Sequence, residues 1–411
     1  MSHSSSKQPR KVVFVHPDLG IGGAERLVVD AALALRSKGH SVAFLTNHHQ
    51  PPHCFPETQD GTLDVLVVGD WFPRSIGGRC AAFCAYIRMT LAALYLVLPL
   101  PKPDFLTRPD VIFCDQVSAC VPVFRLFGYP VAFYCHFPDQ LLSHKGSVWK
   151  DIYRWPLNRL EEWSTGLASK ILVNSHFTEG VFRATFPRLA ERAVEVLYPT
   201  LALSGLEGET KVPPTLASTD NRCFFLSLNR YERKKNVRLA ILAFSELREL
   251  LHSENWKHCR LVIAGGYDLR VAENVEHFAE LQALATQQGL SDQITFLKSP
   301  DEAEKAWLLS RARGLLYTPR NEHFGIVPLE AGFCRCPVIA ANSGGPLETI
   351  VEGETGFLRR DEPAEFASAM ARLVMEKELG PKLGESARQR VLAHFAPPAF
   401  AAALDSIISA L

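Results

Sequence analysis

The feature that most constrains the fold is an alternation of short apolar runs with helical patterns, which occurs twice along the chain. In the first half, the apolar run Val12–His16 precedes a helical pattern over Ala24–Lys38 and the run Ser41–Thr46, and the alternation restarts at Cys223–Leu228. Further strands are predicted at Val65–Val68, Val111–Cys114, Val131–Cys135, Ile171–Asn174, Leu261–Ala264, Ile294–Leu297, Leu315–Tyr317 and Val338–Ala340. Short strands separated by helices predict parallel sheets with crossover helices. The sequence therefore predicts an α/β protein with two doubly wound, Rossmann-like parallel sheets.

The length of the chain points to two domains. A chain of 411 residues exceeds what one hydrophobic core supports, so two domains of about 200 residues are expected. A polar stretch rich in Pro, Ser, Thr and Gly at 206–222 is typical of a linker. We therefore predict an N-terminal domain over 1–205, a C-terminal domain over 223–390 and a C-terminal helix over 391–411.

The overall charge excludes some classes of partner. Lys plus Arg and Asp plus Glu number 44 each, so no global field recruits nucleic acid, and any anion must be held by a local arrangement. Ten cysteines lack the spacing of a zinc site, which favours reduced thiols. No Asn-X-Ser/Thr acceptor occurs, and residues 1–10 lack the apolar core of a signal peptide. These observations favour catalytic domains that face the cytosol.

The segment 80–101 is a candidate for membrane contact. It is almost continuously apolar, but its uninterrupted part is shorter than the roughly 20 residues that a spanning helix needs. Arg88 would cost about 2.5–3.5 kcal/mol inside the hydrocarbon. Three alternatives stay open: a core helix, a helix lying in the membrane interface, or a poor transmembrane span.

A glycine-bearing turn follows the first strand. In the string Asp18–Glu25, Gly22 and Gly23 open a helix, where backbone N–H groups and the helix dipole favour an anion. A dinucleotide-binding domain would also carry an acidic residue after the second strand, but Phe44–His48 contains none. The turn therefore predicts a phosphate site other than one for NAD, or a purely structural tight turn.

Two charged motifs occupy the second half. The string Asn229–Asn236 places four cations, among them Arg230 and Lys235, after a strand, which suits a phosphate group or a solvated helix start. In Arg320–Glu330, Pro328 is expected in the first turn of a helix. Glu322 then lies in the preceding loop and Glu330 in that first turn. Their separation is larger than the roughly 5–5.5 Å of a retaining glycosidase pair, so they are predicted to contact two parts of one long ligand.

Two weaker motifs complete the set. Tyr134–Asp139 places His136 after a buried strand, as a ligand-facing residue or as a satisfied core histidine. Asn342–Glu348 is a second glycine turn after a strand. Its structural alternative is a tight turn without a ligand.

Taken together, these motifs resemble the GT-B glycosyltransferases of family four over nearly the whole chain. The strings His16–Arg26, Cys114–Ala119, Asn229–Asn236 and Asn321–Ala331 are most similar to the branch of that family that adds α-1,3- and α-1,6-linked mannose in the dolichol pathway. The resemblance implies two facing sheets with an interdomain cleft. Asn236 and Cys336 stand where the broader family usually has glycine.

The resemblance implies a role for each matching residue. Arg230 and Lys235 would neutralise the diphosphate as it leaves, and Glu322 would hold hydroxyls of the transferred sugar. His136 would lie near that sugar or the acceptor, with Asp139 a further candidate on the same side.

Three glycines and a second glutamate complete the implied site. Gly22 and Gly23 would face the donor diphosphate. Backbone N–H groups at Gly325 would assist Glu322, and Glu330 would bind the ribose hydroxyls.

The resemblance also implies a reaction. Mannose would pass with retention of configuration from GDP-mannose to dolichol-diphosphate-linked Man1GlcNAc2, first in α-1,3 and then in α-1,6 linkage, without a metal or a tightly bound cofactor. The enzyme would contact the endoplasmic reticulum membrane from the cytosol and associate with other glycosyltransferases of the pathway. The alternatives are another nucleotide-sugar enzyme of this fold, such as an epimerase or phosphorylase, and a non-catalytic adaptor.

Overall fold

Residues 8–142, 148–216 and 223–411 are described in the structure, which is a computed structural model. The chain divides into a first domain, Met1–Thr200 with Pro397–Leu411, and a second domain, Leu201–Ala396. Both domains are built on a parallel sheet, as the alternation of apolar runs predicts.

The first domain contains a seven-stranded parallel sheet in the order β3-β2-β1-β4-β5-β6-β7. Its strands are Lys11–His16 (β1), Ser41–Thr46 (β2), Asp64–Val67 (β3), Val111–Asp115 (β4), Val131–Cys135 (β5), Lys170–Val173 (β6) and Val194–Val196 (β7). Its helices include Gly23–Ser37 (α1), Ala81–Val97 (α2), Val121–Leu126 (α3), Asp139–Leu142 (α4), Val148–Gly166 (α5) and His176–Thr185 (α6). The strand order reverses between β1 and β4, where a doubly wound sheet binds its ligands.

The second domain repeats this plan with a six-stranded parallel sheet in the order β10-β9-β8-β11-β12-β13. The strands are Cys223–Leu228 (β8), Cys259–Gly265 (β9), Ile294–Lys298 (β10), Gly314–Tyr317 (β11), Val338–Ala341 (β12) and Gly356–Arg359 (β13). The helices are Ser204–Glu207 (α7), Val237–Leu250 (α8), Ser253–His258 (α9), Ala272–Gln287 (α10), Glu302–Arg311 (α11), Ile326–Phe333 (α12), Pro346–Thr349 (α13), Pro363–Met375 (α14) and Leu379–His394 (α15). Here the order reverses between β8 and β11.

The end of the chain differs from the single helix predicted over 391–411. Helix α15 ends at His394, and a separate helix, Pro397–Ser409 (α16), follows. Two consecutive prolines at 397 and 398 explain the break, because proline is tolerated only in the first turn of a helix. Helix α16 packs against α1 in the first domain, where Leu404 is fully buried.

Helix α2 occupies most of the segment 80–101. Met89, Ala92 and Leu96 on one face are buried in the core of the first domain. The Arg88 guanidinium is also buried, and it donates to Asp70 at 2.7 Å. The core-helix alternative therefore describes this face, and the charge that argued against a membrane span has a protein partner.

The segment predicted as a linker is partly folded in the described residues. Leu206 and Leu216 are buried, and Lys211 donates its N–H to the carbonyl of Ala303 at 3.1 Å. Residues 217–222 lie outside the described part of the chain. The segment was predicted as a linker because its composition is mostly polar, and its few buried leucines did not change that prediction.

One stretch among the described residues, Leu379–Ser409, has the length and hydropathy that crossing a membrane would require. It consists of α15 and α16, and 44% of its apolar window is buried in the protein.

Removing the Leu404 side chain should destabilise the first domain. Leu404→Ala leaves a cavity in a fully buried position, so we expect the free energy of unfolding to fall by about 2–5 kcal/mol. Leu392→Ala is the matched control, since Leu392 is 45% exposed. Denaturant titration followed by circular dichroism measures both, and equal losses would contradict the packing of α16.

Candidate active site

Lys235 and Glu322 form an ion pair where two neighbouring strands of the second domain end. Lys235 follows β8 and Glu322 follows β11, and these strands are adjacent in the sheet. Lys235 Nζ lies 2.5 Å from Glu322 Oε2, and the side chains are 13% and 26% exposed. Thr318 Oγ1 donates to the Lys235 carbonyl at 2.8 Å and fixes the loop. Two residues singled out by separate motifs are thus in direct contact.

The backbone at Asn236 explains one departure from the family pattern. Asn236 has a φ of 49° and lies between a short turn, Arg233–Lys235, and helix α8. This left-handed conformation favours glycine, and asparagine is among the few other residues that adopt it readily. Asparagine can therefore replace glycine here without changing the course of the loop.

The loop that carries Glu322 is supported by the second glycine turn. The N–H of Gly345 donates to the Glu322 carbonyl at 2.8 Å. A Cβ on Gly345 would lie 2.0 Å from the carbonyl oxygen of Phe324, so no larger residue fits without moving the loop. The glycine turn at 342–348 therefore shapes the loop that holds Glu322.

Gly325 allows a close approach beside the same carboxylate. Its φ is +80°, and an added Cβ would lie 3.0 Å from the Tyr317 hydroxyl. That hydroxyl lies 3.4 Å from Glu322 Oε2. Burial, together with the nearby Glu322 charge, raises the pKa of Tyr317 well above its usual value, so the phenol stays protonated and can donate.

Glu330 is held by a lysine that the sequence motifs did not identify. Lys305 Nζ lies 3.1 Å from Glu330 Oε1 and 2.7 Å from Glu302 Oε2. Burial alone would lower the pKa of Lys305, but the Glu330 and Glu302 carboxylates raise it above its usual value. Glu330 is the fifth residue of α12 and lies one position beyond the first turn, where it was predicted, because the helix begins at Ile326.

Arg230 is the most exposed member of the predicted site. Its side chain is 60% exposed and pairs with Glu232 at 2.9 Å. A Cβ on Gly265 would lie 1.9 Å from the Asn229 carbonyl, and one on Gly266 would lie 3.3 Å from Arg230 Cγ. Gly265, which ends β9, and Gly266 after it thus let the Arg230 backbone pass close to the sheet, while its guanidinium reaches solvent.

In the first domain, Asp115 is hydrogen-bonded to two histidines. Asp115 Oδ1 lies 2.7 Å from His16 Nδ1, and Asp115 Oδ2 lies 2.9 Å from His136 Nε2. His16 and Asp115 are fully buried, whereas the His136 side chain is 21% exposed. His16 ends β1, Asp115 ends β4 and His136 follows β5. The three strands are neighbours at the strand-order reversal, so their carboxyl ends bring the side chains together.

The charges of this cluster stabilise one another. Burial alone would lower the pKa of His16, but Asp115 and, more weakly, Glu25 raise it to about 10. Burial alone would raise the pKa of Asp115, but the charge of His16 and the hydrogen bond from His136 hold it below its usual value. His16 is therefore an imidazolium and Asp115 a carboxylate at neutral pH.

The predicted anion site at the start of α1 already has an acidic neighbour. Gly22 is the N-cap residue, and an added Cβ would lie 2.2 Å from Glu25 Oε2. An added Cβ on Gly23 would meet no atom within 4 Å. The space above Gly23 is open, but Glu25 offsets part of the positive potential at this helix end.

Asp139 belongs to a separate, partly buried network. Arg154 donates to Asp139 Oδ2 at 2.9 Å, and Glu161 Oε1 accepts the Asp139 backbone N–H at 2.7 Å. Burial, with the neighbouring Asp139 charge, raises the pKa of Glu161 to about 7. Among the described residues, the structure shows no contact between His136, which follows β5, and Asp139, which begins α4.

Sequence reasoning missed His16, Asp115, Lys305 and Tyr317. His16 and Asp115 are the last residues of β1 and β4. Polar residues at the carboxyl ends of strands that flank a strand-order reversal are a recognisable signal. Lys305 gave no such signal, because it lies in the first turn of helix α11 and not at the end of a strand.

The described residues include no group of three or more His, Cys, Asp or Glu side chains placed to hold a metal ion. In the second domain, the cations beside Glu322 and Glu330 are Lys235 and Lys305.

Sequence profiles assign the two halves of the chain to glycosyltransferase families. The profile described as Glycosyltransferase Family 4 matches residues 21–203, and the profile described as Glycosyl transferases group 1 matches residues 209–390.

Relatives are similar over nearly the full length. The chain is 48% identical to the alpha-1,3/1,6-mannosyltransferase ALG2 of Homo sapiens, over 97% of this chain and 96% of that protein. It is 43% identical to the alpha-1,3/1,6-mannosyltransferase ALG2 of Saccharomyces cerevisiae, over 89% of this chain and 77% of that protein.

Solved structures share the fold. Sucrose-phosphate synthase from Thermosynechococcus elongatus superposes with a TM-score of 0.71 at 20% identity, over 97% of this chain and 98% of that one. Anabaena Alr3699/HepE in complex with UDP gives a TM-score of 0.71 at 18% identity, over 98% and 100% of the two chains. These similarities establish the two-domain GT-B α/β fold.

The His16 charge should make stability fall at alkaline pH. A folded pKa of about 10 against an unfolded value of 6.5 gives a stabilisation that is complete below pH 6.5 and lost as the pH rises toward 10. The loss is at most about 1.4 kcal/mol per pH unit. Denaturant titrations of the wild type and His16→Gln should therefore show a difference that shrinks between pH 6 and pH 9.5. A constant difference would mean that His16 is neutral in the folded protein.

Proposed function

Because the chain belongs to the family of the α-1,3/1,6-mannosyltransferases, we propose that it transfers mannose from GDP-mannose to a lipid-linked oligosaccharide. It is a glycosyltransferase of the GT-B fold, and a nucleotide sugar is the donor of such an enzyme. The observation that supports this proposal best is the Lys235–Glu322 ion pair beside the strand-order reversal of the second domain. A fixed cation next to a fixed carboxylate suits a ligand that carries phosphates and hydroxyl groups together.

Lys235 and Arg230 are the proposed partners of the donor diphosphate. The Lys235 side chain is only 13% exposed, and a phosphate contact in such a shielded place is stronger than in bulk solvent. The exposed Arg230 guanidinium can turn toward the diphosphate and bind it in bidentate fashion, at the expense of its surface pair with Glu232. The N-terminus of α1 at Gly22 and Gly23 is a further proposed contact of the diphosphate.

Glu322 and Glu330 are the proposed partners of the two sugars. Each carboxylate has one oxygen paired with a lysine, so its other oxygen can accept hydrogen bonds from sugar hydroxyl groups. Glu322, supported by the backbone at Gly325, would bind mannose, and Glu330 would bind ribose. Since the two lysines fix the carboxylates before the donor arrives, little reorganisation is required during the reaction.

The proposed reaction retains the anomeric configuration. The bond between mannose C1 and the diphosphate oxygen breaks, and the acceptor hydroxyl attacks C1 from the same face. The departing diphosphate takes the acceptor proton while Arg230 and Lys235 stabilise its negative charge. This route requires no covalent nucleophile on the protein.

The proposed acceptor is dolichol-diphosphate-linked Man1GlcNAc2, extended first in α-1,3 and then in α-1,6 linkage. The names of the human and yeast relatives support both linkages. His136 and Asp139 are the proposed residues on the acceptor side. An acceptor of this kind places the enzyme at the cytosolic face of the endoplasmic reticulum, where association with other glycosyltransferases of the pathway would pass the lipid onward.

An apolar groove on the first domain supports contact with the lipid bilayer. The groove has a volume of about 380 Å³ between α2 and α5, and Phe83, Leu91, Leu160 and Trp163 are among its lining residues. Phe83 and Trp163 are 42% and 54% exposed. Exposed aromatic side chains beside an apolar groove are typical of a membrane-facing surface.

Replacing the proposed site residues should abolish most of the transfer. Glu322→Gln and Arg230→Ala each remove one preorganised electrostatic contact, so we expect turnover to fall by about 10²- to 10³-fold. The measurement uses a panel of labelled nucleotide sugars and a chitobiose-containing lipid acceptor, followed by linkage analysis. GDP-mannose is the expected donor.

Matched controls come from the same surface of the second domain. Glu276→Gln and Arg233→Ala change a paired surface glutamate and an arginine of the same basic loop, and both should retain near-normal transfer. Near-normal transfer by folded Glu322→Gln or Arg230→Ala would overturn the assigned roles. Transfer of a different sugar would overturn the proposed donor.

A charge at the rim of the groove should weaken membrane binding. Phe83→Asp removes an aromatic side chain worth roughly 1.5–3 kcal/mol on burial, so recovery with vesicles of endoplasmic reticulum lipids should fall about tenfold or more. Leu269→Asp, at a 77% exposed position of the second domain, is the control. Transfer to a short-chain soluble acceptor should be retained, and unchanged recovery of Phe83→Asp would contradict membrane contact at this groove.

A further inference from the structure

The cluster His16–Asp115–His136 contains more charge than packing alone requires. Placing a histidine and an aspartate in full burial costs several kcal/mol of desolvation per ion unless each is paired. The two residues nevertheless lie at the carboxyl ends of β1 and β4, beside the strand-order reversal. A position of this kind in a doubly wound sheet is where ligands bind.

Hydrogen bonding alone fixes the protonation of His16. Its Nδ1 lies 2.7 Å from Asp115 Oδ1, and its Nε2 lies 3.0 Å from the carbonyl oxygen of Asp18. Both neighbours are acceptors, so both ring nitrogens must donate, and the ring carries a positive charge. The second carboxylate that faces it, Glu25, lies 3.9 Å from Nε2 and favours the same charge.

The other oxygen of Asp115 determines which ring nitrogen of His136 carries the proton. Asp115 Oδ2 accepts from His136 Nε2 at 2.9 Å, so the proton of a neutral His136 resides on Nε2. The ring contacts Tyr134 edge-on at 4.8 Å, and the backbone carbonyl of His136 accepts from Asn174. Nδ1 of His136 has no partner among the described residues, and the side chain is 21% exposed.

We propose that His16 and Asp115 are positioning residues that hold His136 as its neutral Nε2–H tautomer, so that Nδ1 accepts a hydrogen bond from a sugar hydroxyl. The role of His136 toward the sugar rests on the proposed function, whereas the charge of His16 and the position of the His136 proton on Nε2 rest on the geometry. Without the positive charge of His16, the Asp115 carboxylate would favour an imidazolium at its remaining histidine. An imidazolium has no lone pair with which to accept a hydroxyl.

The protonation states can be measured in the wild-type protein without a substrate. Selective ¹⁵N labelling of histidine, with two-bond ¹H–¹⁵N correlation spectra assigned through single His→Gln variants, reports the tautomer and charge of each ring. At pH 7.5 we expect His16 to be protonated on both nitrogens and His136 to carry its proton on Nε2. A neutral His16 or an Nδ1–H tautomer of His136 would overturn the proposal.

A pair of variants separates positioning from stability. His16→Gln should move the acid limb of the pH–rate profile upward by about 1–3 pH units, because the cation that offsets the Asp115 charge is then missing. The matched control is His40→Gln, which breaks another histidine–aspartate pair of the first domain, His40 with Asp405 at 2.9 Å. His40→Gln should leave the acid limb in place, and thermal unfolding of both variants records their stability.

The outcomes keep this proposal distinct from the proposed function. An acid limb that is unmoved in folded His16→Gln would overturn the positioning role. Failure of the wild type to transfer mannose from GDP-mannose would overturn the proposed function and leave the measured tautomers standing. Mannosyl transfer by a wild type whose His136 carries its proton on Nδ1 would overturn the positioning proposal and leave the proposed function standing.

Discussion

The structure depends on the reversal of strand order within each parallel sheet. Where the order reverses, the connections leave two adjacent strands in opposite directions, and the carboxyl ends of those strands stay uncovered. In the first domain the reversal brings His16 and Asp115 together, although 99 positions separate them. In the second domain it brings Lys235 to Glu322 across 87 positions. Side chains from motifs that are far apart in the chain come into contact only because of this topology.

The charged side chains at the reversals of the two domains follow the same electrostatic arrangement. Each carboxylate of the candidate site faces a cation of the same domain: Asp115 faces His16, Glu322 faces Lys235 and Glu330 faces Lys305. Each ion therefore has an oppositely charged partner in a place that is partly shielded from water, where burying an unpaired charge would be costly. In each pair the carboxylate retains a second oxygen, which His136 occupies in one case and which substrate hydroxyl groups are proposed to occupy in the others.

Much of the fold followed from patterns that span a few residues. Strands such as Ser41–Thr46, Val131–Cys135 and Cys223–Leu228 were predicted with the bounds that the structure shows, because buried parallel strands are uninterrupted apolar runs. The contact of Lys235 with Glu322 agrees with the grouping of two motifs into one site. Lys305 was missed because a partner from a distant helix leaves no local pattern. The His16–Asp115 pair was missed although both residues end strands that flank the strand-order reversal. The anchoring leucines at 206 and 216 were missed because a polar composition outweighed two isolated apolar residues.

Helix α16 gives the chain an unusual order of completion. The first domain contains residues that precede the second domain and also helix α16, which follows it and packs with Phe14, Val28 and their apolar neighbours. During synthesis the second domain can fold while the first still lacks this cover, because domains fold as their residues emerge from the ribosome. Until Pro397–Ser409 has been made, an apolar surface of the nascent first domain stays open to chaperones or to wrong partners. The first domain is therefore completed only after the second domain has been synthesised.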